Sequence, residues 1–196
     1  GQDTSRARQI IIMTDPTRRT LLRRLGYAAA CAVPGTTLAG SLTAVASSPE
    51  PRRLRFYHTH TRSRLELAYH DGDRYLPEAL ERIDVFLRDF RTRDVHPIDP
   101  NLLDILSAIR STFDTDGCFE VISGYRSPAT NEDLRRRTDG VAKASLHMQG
   151  RAIDVRLAGV RTNRLRRAAT DLARGGVGYY PKSDFIHLDT GRFRTW

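Results

Sequence analysis

Between Arg151 and Leu157 the chain alternates: Ile153, Val155 and Leu157 share one parity, and Ala152, Asp154 and Arg156 share the other. A period of two predicts a half-buried strand with Asp154 turned away from the apolar layer. Phe185 to Asp189 repeats the pattern, with Ile186 and Leu188 on one side and Phe185, His187 and Asp189 on the other. Further strands are predicted over Leu54 to His60, its hairpin partner Arg64 to Tyr69, Phe119 to Ser123, and Gly176 to Tyr179. After Pro77 and Pro100 the spacing changes to three and four. Leu80, Ile83, Phe86, Leu87 and Phe90 line one helical face; Leu102, Leu103, Leu106 and Ile109 line another. Ala129 to Arg137 reads as a short polar helix, and Asn163 to Ala173 as a longer one opened by Thr162 or Asn163. There is no internal repeat. The expected fold is α+β: a small, mostly antiparallel sheet with helices on one face and a cleft on the other.

The first fifth of the chain has a different character. Met13 is the expected start, leaving residues 1–12 outside the reading. Thr17 to Arg24 form a basic run with paired Arg18 and Arg19 before two leucines. Leu25 to Leu42 are small and weakly apolar, and Ala44-Val45-Ala46 forms a cleavage box. The pattern predicts a twin-arginine export signal over 13–46 and a periplasmic or envelope destination. Its middle is too weakly apolar for a stable membrane span. Residues 47–52 are expected to be a linker, and 53–196 one domain with a single core.

Cleavage removes Cys31, so the exported chain keeps Cys118 alone and can form no internal disulfide. Cys118 is expected to be a buried small hydrophobe. Without the six arginines and two aspartates of the leader, the net charge falls from +9 to +5. A moderately basic exported protein suits an anionic wall polymer. Nucleic acid is not an expected partner, because no recognition motif accompanies the charge. A monomer is expected.

The chemistry concentrates in Ser145 to Asp154 and Asp184 to His187. If the two predicted strands are neighbours, Asp154 and His187 project from one face, with His147 on the approach to the first strand. Two imidazoles and two carboxylates so arranged can supply an open zinc site: three protein ligands, a position for water, and a spare carboxylate for its proton. Asp184 and His187 differ in parity, which puts Asp184 on a turn before the strand. Asp189, of matching parity, is the rival for the base or a partner orienting a ligand histidine. His58 and His60 share a strand face with no third ligand evident nearby, and a surface role is expected for them.

Ser145-x-His147-x-x-Gly150-x-Ala152-x-Asp154 followed by Asp184-x-x-His187 resembles the signature of the zinc D-Ala-D-Ala metallopeptidases, which share a fold with lysostaphin-type endopeptidases and the hedgehog domain. Ser123-Gly124-Tyr125-Arg126-Ser127 resembles the segment that places an arginine in that family's substrate cleft. Gly175 to Pro181, with His187 to Gly191 and Trp196, is similar to the murein endopeptidase K-like branch. The resemblance covers roughly residues 53–196. It implies His147, Asp154 and His187 as zinc ligands, Asp184 as general base, and Arg126 with Tyr125 at the substrate. It places the pair Tyr179 and Tyr180 near the cleft, and it implies an exported zinc peptidase acting on peptidoglycan cross-links or stem peptides, with the D,D- or L,D-type of bond open. The alternatives are a non-catalytic zinc-containing wall-binding module and an exported basic scaffold without metal.

Overall fold

The structure is a computed structural model, and it describes residues 50–113, 115–138 and 141–196. The leader and most of the linker, 1–49, lie outside the described residues. Seven strands, β1 (Arg52–His58), β2 (Arg64–His70), β3 (Phe119–Ser123), β4 (Ala152–Leu157), β5 (Gly176–Tyr180), β6 (Phe185–Asp189) and β7 (Arg194–Thr195), form one sheet in the order β2-β1-β3-β4-β6-β5-β7. The β1–β2, β3–β4, β4–β6 and β5–β6 pairings are antiparallel, while β1–β3 and β5–β7 are parallel. The sheet is therefore mixed, with an antiparallel centre.

Among the described residues four α-helices accompany it: α1 (Pro77–Phe86), α2 (Pro100–Ser111), α3 (Pro128–Arg137) and α4 (Thr162–Leu172). Leu102, Leu103, Leu106 and Ile109 of α2 and Leu165 of α4 are fully buried in one core with Leu54, Phe56, Phe119, Val121, Ile153, Val155 and Ile186. The alternation of β4 and β6 is thus realised: the aliphatic parity meets the helices and the polar parity faces the other way.

Three boundaries differ from expectation, each for a local reason. β1 stops at His58, where Arg62 donates to the His58 carbonyl and closes a turn. α1 ends at Phe86, short of Phe90, because the Asp89 carboxylate accepts from the Arg91 N–H at 2.9 Å and offers the backbone a turn instead of a helix. α4 begins at Thr162, but the Thr162 hydroxyl does not cap it. The capping position falls to Arg161, and Thr162 donates to Asp184 instead.

A candidate metal centre

Two paired strands and one tight turn bring the central side chains together. Asp154 of β4 lies directly opposite His187 of β6, so both leave the sheet on the face away from α2 and α4. His147 sits in a 3₁₀ turn, Leu146–Gln149, which Ser145 opens by accepting from the His147 N–H at 3.3 Å. Gly150 ends that turn at φ 64°, and a Cβ there would come within 2.0 Å of the Pro97 carbonyl oxygen. Both the angle and the space require glycine.

His147 Nε2 is 3.2 Å from His187 Nδ1 and 3.3 Å from Asp154 Oδ1, and His187 Nδ1 is 3.0 Å from the same oxygen. Each ring's other nitrogen is committed. His147 Nδ1 donates to the Gly124 carbonyl at 2.7 Å, and His187 Nε2 donates to the Asp189 carboxylate at 3.0 Å. These partners can only accept, so once each ring is neutral its lone pair faces Asp154; a proton on His187 Nδ1 occupies that place when no cation does. Three electron-rich atoms then face one another, an arrangement that a cation stabilises. Ligand atoms around a tetrahedral ion with bonds near 2.0–2.1 Å are separated by about 3.3 Å. The three observed separations fit that spacing, and histidines oriented by a carbonyl and a carboxylate are the usual support of such a site.

The electrostatics follow from burial and pairing. Burial pushes the Asp154 carboxyl up, but His147 and His187 outweigh it and hold it well below the ordinary range. His147 is lowered, chiefly by burial, with Arg126 adding to the effect against the pull of Asp154. Burial would also lower His187, yet hydrogen bonds with Asp154 and Asp189 prevail and raise it. Asp189 is fully buried. Burial would raise it, but His187, Arg194 and the Gly191 N–H hold its carboxyl far below the usual range. Arg194 grips both Asp189 oxygens, at 3.0 and 2.7 Å, and the Gly176 and Gly191 amides complete the set.

Arg126 is brought to the cluster from the loop after β3. Its Nη2 donates to Asp154 Oδ2 at 2.5 Å and its Nε to Ser123 Oγ at 2.9 Å, while Nη1 makes no hydrogen bond among the described residues. Tyr125 is not beside the cluster's ligand atoms. It is buried and stacked on His96 at 4.8 Å, with its N–H on the Leu87 carbonyl. Asp184 also lies outside. It takes a left-handed φ of 51°, accepts from Thr162, and pairs with Arg156 at 3.5 Å. It stands just before β6, three positions ahead of His187.

Other expectations resolve in the same way. Tyr179 turns to the helix side under Arg166, and only Tyr180 reaches the cleft face, where it stacks on Phe185. His58 is 1% exposed, not on the surface, and burial lowers it to about 4, with His60 and Arg88 adding to the fall. Cys118 is half-buried and unpaired. Asp89, Ser123 and Arg194 were missed. The only signal for Arg194 was its place two residues before Trp196.

The fold and this cluster define a protein with an α+β sheet carrying a His/Asp/His group that could hold a metal ion. The sequence model of the family described as peptidoglycan L,D-endopeptidase MepK matches residues 46–196, and the chain belongs to that family. The Escherichia coli protein named peptidoglycan L,D-endopeptidase MepK is 40% identical over 182 residues, covering 93% of this chain and 98% of its own. The Shigella flexneri protein of that name is similar to the same extent, 40% over 182 residues. A Haemophilus influenzae protein named probable peptidoglycan L,D-endopeptidase MepK is 44% identical over 160 residues, covering 81% of this chain and 86% of its own. The resemblance to the murein endopeptidase K-like branch is thereby borne out.

Proposed function

We propose that this protein is an exported zinc-dependent peptidase that hydrolyses peptide cross-links of peptidoglycan, with His147, Asp154 and His187 as the zinc ligands. The observation that carries the reading is the 3.0–3.3 Å triangle of ligand atoms whose lone pairs converge. The names of the relatives support an L,D-type bond over a D,D-type one. Bound zinc would polarise the scissile carbonyl and lower the pKa of its water to about 7.

The chain's own residues prepare that chemistry. The Gly124 carbonyl and Asp189 fix the rings, and Arg126 holds Asp154 through Oδ2 so that Oδ1 points at the histidines. Arg126 Nη1 is the donor available to a substrate carboxylate or to the scissile carbonyl. Asp184 is not assigned the base role, since its carboxylate is occupied by Thr162 and Arg156. Residues 13–46 serve as the export signal, 47–52 as a linker and 53–196 as the catalytic domain. No helix among the described residues is long and apolar enough to cross a membrane.

The test combines metal analysis with digestion. The full chain should hold about one zinc and release peptide fragments from purified peptidoglycan, identified by mass. His147→Ala, Asp154→Ala and His187→Ala should each lose most of the metal. Metal retained without hydrolysis would favour a wall-binding module, and full retention by all three variants would remove the ligand assignment.

A further inference from the structure

We propose that Trp196 is a substrate-positioning residue whose indole forms one wall of the metal cleft and packs against the stem peptide beside the bond to be cut. This rests on reading His147, Asp154 and His187 as the hydrolytic centre. The backbone fixes where the indole lies. The Trp196 N–H bonds the Val177 carbonyl and the Tyr179 N–H bonds the Trp196 carbonyl, so β7 and the residue after it run alongside β5. Gly178 is the seat. A Cβ there would meet indole atoms at 2.7, 2.8 and 2.9 Å, so any side chain at 178 displaces the ring. The indole N–H donates to the Tyr180 hydroxyl at 3.0 Å, and the Arg194 guanidinium lies 4.9 Å from the ring.

The indole centroid is 5.2 Å from that of His187. Held on this seat, Trp196 nevertheless stays 48% exposed. A large apolar ring fixed in place and left uncovered beside a metal ligand is suited to binding, because little conformational entropy is lost when a partner covers it. The occupant is the peptide rather than the glycan. The ring abuts the imidazole whose Nδ1 faces the centre, so the group that covers it is the one next to the bond under attack.

Trp196 is the single tryptophan of the chain, so its emission reports on this wall alone. The zinc-loaded full chain is titrated with a cross-linked stem peptide whose scissile amide is reduced to an uncleavable CH₂–NH link. A saturable emission shift is expected. With the cleavable peptide, Trp196→Ala should raise KM about tenfold with kcat within about twofold and zinc content unchanged. Trp196→Phe should recover most of the loss, and Gly178→Ala should behave like Trp196→Ala. Binding of the analogue without an emission shift, an unchanged KM, or zinc loss in Trp196→Ala overturns the proposal. If emission shifts while the cleavable peptide stays intact, the wall stands and the hydrolytic reading falls. Hydrolysis with neither an emission shift nor a KM effect gives the reverse.

Discussion

Asp189 and Asp184 show how five residues of sequence separate two unlike carboxylates. Asp189 is buried under His187, Arg194 and two amides, whereas the Asp184 side chain is 61% exposed and occupied by Thr162 and Arg156. Removing Asp189 frees the His187 ring, so Asp189→Ala should weaken zinc affinity about 10- to 100-fold, measured by competition with a chelator. Asp184→Ala should keep zinc and at least half the turnover. A loss of 10²-fold or more with zinc intact, the scale of a missing general base, would instead show that Asp184 swings to the cleft during the reaction. The raised His187 imidazole sets the direction of the pH dependence. A proton held more tightly must be displaced by the metal, so zinc affinity should fall as pH drops below neutrality and recover on neutralisation.

Among the elements, the segment joining α1 to the Arg126 loop has a separable role. Asp89 accepts from the Ser127 N–H at 2.8 Å and from Arg91, and so ties the segment after α1 to the start of α3, just past Arg126. Burial would raise its carboxyl, but hydrogen bonds from Thr130, Ser127 and Arg91 prevail and hold it at about 2. A depressed carboxyl stabilises the fold above its unfolded value near 3.8, and that contribution is lost as pH falls through about 2. Asp89→Ala leaves buried donors unpaired, costing about 1–3 kcal/mol. Thermal melts should show a lower Tm near neutrality and a shallower loss of stability between about pH 4 and 2. The alternation of β4 and β6 made the central strands and the Asp154–His187 pair legible, because each strand carries its own period. The end of α1 was not legible, since the apolar spacing runs on to Phe90 while the Asp89 carboxylate turns the backbone before it. Nor was the contact of Trp196 with His187, which needs the parallel β5–β7 pairing; the turn at Asp184, by contrast, followed from its parity against His187.

For the whole molecule, location and assembly matter together. A reporter carrying residues 13–50 should leave the cytoplasm, and Arg18→Lys with Arg19→Lys should stop it; unimpaired export of the double variant would remove the twin-arginine reading. The catalytic reading depends on a single alignment in the sheet, Asp154 against His187. Side chains alternate with a period of two, so a slip of one residue between β4 and β6 would send His187 into the aliphatic layer and Ile186 into the cleft. Only the correctly paired sheet brings all three proposed ligands together. On the proposed ligand set a bound ion would therefore act as a proofreader of strand alignment, tilting the population toward the one register that can hold it.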